Sequence, residues 1–466
     1  AQYEMVGDSA LPSDPSVVML TDHSGKPRWT VSIPPKYAFP LIPAQYKEIC
    51  SQADEMTLHI ADSKKQRKSH RYYGADPDFM DVPEAERKGL LGYAKGGSGA
   101  MDEVIGSLPQ CKGTLTYVME TSDAGIGNSL LGLWMAYGLA QKEGRSFFVD
   151  DTRWPYGNYS SYFRPIPAAN CAPPPPSHRV PCPHTAAHIV ISAATFPHAF
   201  GMDFNNEFED LRKTGVEQQR RIFALARTGY EALFHLADPD DVEYVKQRRS
   251  DVQETKEAGG MTIGLHVRRG DRHPWEYQYS KDYIPLTHYM DEARQVLLDR
   301  YEHDEEEEKA PSAGVVASKL LLATDDPDIY DAPDVARTER AQTRIVLASK
   351  KAIEKANPDA QPKNKYVDEI HGWEGGFFHD VFWGLGRDAP GASALASEPG
   401  DGVMQMRRWI GNGYVLDLAV LAEADVVVCG VSAMGCRLLA VMMGWERAFA
   451  QEGWRNVDGG FEWRGL

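Results

Sequence analysis

An α/β protein of two Rossmann-like domains facing across a cleft is what the sequence predicts, and three observations carry the prediction. Apolar, β-branched runs alternate with stretches of helical spacing in both halves of the chain. Each half opens its own strand-then-helix series, one at Thr114-Leu-Thr-Tyr-Val-Met-Glu120 and one at Met261-Thr-Ile-Gly-Leu-His-Val267. The length, 466 residues, exceeds what one core usually holds, and 42% hydrophobic residues with 10 Trp suffice for two. The reading divides the chain into an extended arm over 1–45, a first Rossmann-like domain with a helical N-terminal part over 46–255, and a second over 256–466.

Composition narrows the partners. A formal net charge of −17 argues against nucleic acid, which needs broad basic faces, so cations should gather locally at a small anionic ligand. The sequence contains no apolar run of the roughly 18 to 20 residues a membrane span needs, and no signal-like region opens it at Ala1-Gln-Tyr-Glu4. Six cysteines make an even number. Cys429 and Cys436 flank a turn, Cys171 and Cys182 bracket a proline run, and Cys50 and Cys111 stand apart. Reduced, buried thiols are the alternative to pairing.

In chain order, residues 1–45 are rich in Pro and polar residues with little periodicity, hence the arm. From Ala44 to Gly106 the spacing is mostly helical, with a basic run Lys64-Lys-Gln-Arg-Lys-Ser-His-Arg71 that reads as a solvated face. The strand at Thr114 leads into Thr121-Ser-Asp-Ala-Gly-Ile-Gly-Asn128 and then the helical spacing of Ser129–Gln141. Strand, glycine turn and helix receive anions, because the first helical amides and the macrodipole favour phosphate. Phe147-Phe-Val-Asp-Asp151 is the next strand, and its acidic pair also fits a dinucleotide-binding unit; Leu130 stands where that motif's third glycine belongs, which weakens the NAD reading. Trp154-Pro-Tyr-Gly-Asn-Tyr-Ser-Ser-Tyr162 is an aromatic loop able to stack on a ring, and Asn158-Tyr-Ser160 fits a glycosylation sequon. Residues 183–201 give a further strand and loop, and Glu207–Val245 is helical by spacing.

In the second half the strand over 261–267 delivers His266, Arg268, Arg269, Asp271, Arg272 and Glu276 to its C-terminal edge, where ligands bind in open α/β sheets. Adjacent arginines are planar cationic forks suited to a diphosphate, although a surface ion-pair network with Asp271 uses the same residues. A helix over Leu286–Asp299 follows, then an acidic loop, a strand at Lys319-Leu-Leu-Leu-Ala-Thr324 ending in Asp325-Asp326-Pro327, and another at Thr343-Arg-Ile-Val-Leu-Ala348. Tyr414–Leu421 is a helix carrying Asp417, Ala424–Cys429 a strand, Gly430–Met434 a turn and Cys436 onward a helix.

Four stretches together carry a family resemblance: Gly125-Ile-Gly-Asn-Ser-Leu130, His266-Val-Arg-Arg-Gly-Asp271, Ala323-Thr-Asp-Asp-Pro327, and Leu416 to Arg437. They resemble, in the same order over roughly residues 110 to 445, the GDP-fucose-dependent α1,6-fucosyltransferases of animals and rhizobia. The resemblance implies a GT-B plan with an acceptor-side first domain and a GDP-sugar-binding second domain. It further implies an inverting transfer of a sugar, expected to be fucose, from a GDP donor to a glycan or glycoprotein hydroxyl, with no metal and no other cofactor. Arg268 matches the clamp on the β-phosphate, completed by the Ser432 hydroxyl and the amides of Ala433 and Met434; Gly125, Gly127 and Tyr156 match further nucleotide contacts. His266 and Asp417 match the guanine readers, Asp325 and Asp326 an acidic pair beside the sugar, and Glu276 the catalytic base, with Arg272 in place of the family's lysine.

The resemblance also implies disulfides Cys429–Cys436 and Cys111–Cys171, and with them an oxidising Golgi lumen and an N-terminal membrane anchor beyond this sequence. No SH3 domain is expected, as in the bacterial branch. The chain departs from the family at Ala433 and Met434, where a serine and a glutamine are missing, and over His273-Pro-Trp-Glu-Tyr-Gln-Tyr279. Those departures motivate a second reading, a catalytically silent nucleotide- or glycan-binding protein of the same fold.

Overall fold

The computed structural model describes residues 11–63, 72–91, 108–120, 125–269, 283–301, 312–346 and 401–466. The chain begins with a β-hairpin, β1 (Ser16–Thr21) and β2 (Pro27–Ser32), paired antiparallel. This differs from the extended arm expected over 1–45. Val18, Leu20, Trp29 and Val31 are buried, and the indole of Trp29 donates to Asp76 at 2.8 Å, so the short apolar alternation finds a core face in spite of its polar neighbours. Helix α1 (Pro43–Ser63) and the short α2 (Val82–Arg87) pack beside it.

The first sheet is parallel with strand order β4-β3-β5, from β3 (Thr114–Val118), β4 (Ser146–Asp150) and β5 (His188–Ile191). Between β3 and β4 runs α3 (Ile126–Glu143), capped at its end by Gly144 in the left-handed region. After β5 come α4 (Phe196–Ala199) and α5 (Met202–Phe208), then α6 (Arg220–Leu233) and α7 (Pro239–Glu257). The stretch read as helical over 207–245 is therefore broken, because Asp238 caps a new helix whose first residue is Pro239.

The second sheet is also parallel, with order β10-β9-β6-β7-β8. Its strands are β6 (Thr262–Val267), β7 (Lys319–Thr324), β8 (Glu339–Arg340), β9 (Val426–Cys429) and β10 (Trp454–Asn456). Helices α8 (Leu286–Tyr301), α9 (Ala313–Ala317), α10 (Asp401–Leu421) and α11 (Met434–Met443) accompany it. The strand expected over Thr343–Ala348 lies partly outside the described residues; its described part, 343–346, is not a strand, and the two-residue β8 stands just before it. There the Gln342 side chain bonds both the amide and the carbonyl of Ile345, at 2.9 and 2.8 Å, and curls the backbone away from the sheet.

One apolar core runs from the hairpin through the first sheet to α10, β9 and α11, and a second lies between β6, β7 and α8. The two halves are also joined by polar contacts. From α6, Arg227 donates to the carbonyls of Val441 and Met442 at the end of α11, at 2.7 and 2.6 Å. Three disulfides are present: Cys50–Cys182, Cys111–Cys171 and Cys429–Cys436. The last two are the pairs the resemblance implies; Cys50–Cys182 ties α1 to the segment before β5. No described helix is long and apolar enough to cross a membrane.

Candidate functional site

Strand order locates the site. From β6 the chain moves to β7 on one side and later to β9 on the other, so the C-terminal ends of β6 and β9 form a topological switch point, where an open parallel sheet leaves a crevice. His266 stands there on a wholly buried strand, in register with Ala323 on one side and Cys429 on the other. Its ring is buried and its Nδ1 has no hydrogen-bond partner among the described residues. Burial, with the neighbouring Arg268 charge, pushes its pKa down to about 4, so the imidazole is neutral at physiological pH.

Two helix starts converge on this histidine. A Cβ added at Gly435, the second residue of α11, would lie 2.4 Å from His266 Nε2 and 3.1 Å from the Tyr414 hydroxyl. A Cβ at Gly127, the second residue of α3, would lie 2.7 Å from the same hydroxyl and 2.9 Å from Met434 Cβ. Both positions need glycine for close approach, and both helices bring their electropositive ends to one place. Gly125 caps α3 there through its carbonyl, which accepts from the Asn128 and Ser129 amides at 3.1 and 3.2 Å. Tyr414 was missed by sequence reasoning, although it stands one helical turn before Asp417 and so on the same face.

Asp417 is the second buried polar group at this end. Burial raises its carboxyl well above the usual carboxylate range, opposed by a hydrogen bond with Gln342 and the charge of Arg340. Its Oδ1 is buried without a hydrogen-bond partner among the described residues. A buried acceptor in this state is costly unless a donor arrives, which makes it a recognition group for a ligand presenting N–H.

The acidic pair after β7 divides. Asp325 Oδ1 accepts the Arg269 amide at 2.6 Å, clipping the end of β6 to the end of β7. Asp326 caps the following turn, accepting from the Asp328 amide at 3.0 Å, as an Asp-Pro turn requires. The Arg269 fork turns toward the Ile284 carbonyl at 3.2 Å and lies over the Tyr283 ring at 5.0 Å. Arg268 is partly buried beside His266. Asp271, Arg272 and Glu276 lie outside the described residues.

Two expectations change at the edges of the site. At the turn before α11 the Ala433 amide donates to the Gly430 carbonyl at 3.0 Å, and the Ser432 amide to Asp458 Oδ2 at 3.3 Å. The Ala433 amide is thus engaged within the turn, closed by the Cys429–Cys436 bridge; Met434 starts α11 against Gly127. Asn456 completes the turn by accepting the Val431 amide at 2.9 Å. Neither Asn456 nor Asp458 was anticipated, although Asn and Asp at and just past the end of a short strand are a recurring turn signal. The aromatic loop also differs. Trp154, Tyr156, Tyr159 and Tyr162 are all buried, and the Tyr162 hydroxyl donates to the Tyr156 carbonyl at 2.7 Å, so these rings pack on each other as core and offer no open stacking face.

Among the described residues, the one grouping with metal-ligand proximity is Cys50, Cys182 and His198, and its cysteines are bonded to each other.

No protein-family profile and no curated protein matches the chain. Solved structures similar to it include NodZ α-1,6-fucosyltransferase soaked with GDP-fucose, 13% identical with a TM-score of 0.30, over 71% of this chain and 93% of that one. Fucosyltransferase NodZ from Bradyrhizobium is 12% identical with a TM-score of 0.29, over 71% and 92%. A point variant of FUT1 from Arabidopsis thaliana in complex with GDP is 11% identical with a TM-score of 0.33, over 73% and 70%. At these scores the likeness carries no argument about chemistry, which rests on the residues just described.

Proposed function

We propose that the protein is a GDP-sugar-dependent glycosyltransferase of GT-B plan, resembling the α1,6-fucosyltransferases, that transfers fucose to a glycan hydroxyl with inversion. The observation that carries this reading is the pair of buried, unsatisfied polar atoms at the switch point, His266 Nδ1 and Asp417 Oδ1, beside Arg268 and two helix starts. Guanine presents adjacent N–H donors to a carboxylate and acceptors to a donor group, and a diphosphate answers the cationic end.

In this reading the acceptor oxygen attacks the anomeric carbon while the bond from that carbon to the diphosphate oxygen breaks. The hydroxyl proton passes to Glu276, a role carried by the sequence resemblance, and the charge developing on the leaving GDP is met by Arg268. Arginine serves the leaving group without a metal. Three disulfides favour an oxidising secretory compartment. A silent nucleotide-binding protein is the second reading, favoured by the closed turn at Ser432 and Ala433.

Calorimetry with GDP, UDP and NAD tests the binding half: GDP should bind and the other two should not, and binding of NAD alone would overturn the proposal. GDP release from GDP-fucose across a glycan panel tests the chemical half. Release that depends on acceptor and falls by about 10² to 10⁴ in Glu276→Gln, with GDP binding retained, separates transferase from silent binder.

A further inference from the structure

At the far end of α11 from the switch point, a cavity of about 350 Å³ opens where α6, α7, α10 and α11 meet. Part of its lining is apolar: Phe234 from the end of α6, Val242 and Val245 from α7, Ala419 from α10 and Met442 from α11. The cavity follows from how α7 is attached. This 19-residue helix is strongly polar, and its buried positions, Val252 and Thr255, both fall in its last two turns. Its first turns are fixed by polar contacts, Arg344 to Asp241 at 2.7 Å and the Thr343 amide to the Tyr244 hydroxyl at 3.2 Å; Val245 packs partly against the core, and both Val242 and Val245 line the cavity. Apolar walls with a few polar groups at the mouth, in this size range, describe a small-molecule site.

The mouth is cationic in a protein whose net charge is −17. Arg164, His235, Lys246 and Arg249 border it, against Glu423 as the one lining acid. Glu423 is already committed to Arg249 in a two-pronged contact at 2.5 and 2.7 Å, and Lys246 has Glu243 at 3.3 Å. Among the described residues Arg164 has no ion-pair partner, and the rim therefore keeps a surplus positive charge beside an apolar chamber.

We infer that this cavity binds a small amphipathic anion, a compact apolar body with one carboxylate or phosphate head, placing the body among Val242, Val245, Phe234 and Met442 and the head at Arg164. The inference does not rest on the activity proposed above.

Calorimetry on the full chain, with ligands kept below micelle-forming concentrations, tests it using four probes that share a chain length: decanoate, decyl phosphate, decanol and decylamine. Saturable one-to-one binding is expected for the two anions, with decanol weaker and decylamine without measurable affinity. Which anion binds more tightly distinguishes a carboxylate from a phosphate ligand. Val245→Trp should fill the chamber and abolish anion binding, and Arg164→Gln should weaken it about fivefold, the upper range for one exposed charge. Melting curves check that both variants fold, and Val242→Phe replaces Val245→Trp should that one not. Equal binding of decylamine and decanoate, absence of saturable anion binding, or undiminished binding in a folded chamber-filling variant would each overturn the inference.

Discussion

Two buried histidines on parallel strands, His188 in the first sheet and His266 in the second, look alike by every local measure. Each is largely excluded from solvent and each has its pKa pushed down to about 4, mainly by burial. They differ in which end of the strand they occupy and in what they touch. His188 begins β5, and its Nδ1 shares a hydrogen bond with the Thr114 hydroxyl at 3.1 Å, so it is a finished part of the core. His266 stands near the end of β6, its Nδ1 has no partner among the described residues, and the start of α11 crowds its other edge. Burial and a shifted pKa therefore do not separate a structural histidine from a recognition histidine; the strand end and the unfilled valence do.

The largest expected effect is one the two histidines share. A folded pKa near 4 against about 6.5 unfolded means both are neutral in the fold. The stability each contributes is present above pH 6.5 and is lost as pH falls toward 4, up to about 3 kcal/mol for His266 and less for His188, where solvent screens more of the charge. Urea denaturation between pH 7 and 4 should show this loss, and His188→Asn and His266→Asn should each remove a part of it. If only one variant flattened the profile, the parallel between the two sites would break.

The remaining predictions sharpen the difference. Gly435→Ala places a methyl against His266 Nε2 and should weaken GDP binding by about a hundredfold, since the buried ring has nowhere to move. Gly113→Ala, just before β3 and 3.6 Å from the nearest backbone oxygen, should leave GDP binding intact. Asp417→Asn removes the carboxylate acceptor and should cost about thirtyfold in GDP affinity. Because the folded pKa of Asp417 is raised, its stability contribution is lost as pH rises through that value, so the same variant should melt higher than the parent at neutral pH without ligand. Proton release on GDP binding, measured in buffers of different ionisation enthalpy, should disappear with it. The smallest effect is expected from His266→Asn, about tenfold in GDP affinity, against none for His188→Asn.

The legible parts of this molecule were those written in periodicity and strand-end chemistry. The runs at Thr114, Thr262, Lys319 and Val426 are strands because β-branched and aliphatic residues dominate them. The N-terminal hairpin was illegible because its alternation lasts only a few residues among prolines and polar residues, and the partner that buries it, α1, lies beyond the next turn. The aromatic loop at Trp154 misled for the opposite reason: a cluster rich enough to stack on a ligand is also rich enough to stack on itself. At the α11 turn, the residues that occupy the amides come from β10 and just beyond it, more than 20 positions away, a distance at which spacing carries no signal.

The contact from Arg227 to the end of α11 has a mechanical meaning. Helix α11 is a ten-residue rod whose start forms part of the crevice and whose last carbonyls are gripped by a guanidinium from the other half of the molecule. A charge there opposes the negative pole of the helix, so detaching it forfeits both hydrogen bonds and dipole compensation. The rod thus acts as a strut loaded at both ends, and prying the halves apart would first release its distal anchor. Amide exchange across Met442 to Trp445 is where such slackening would register, at the far end of α11 from the crevice.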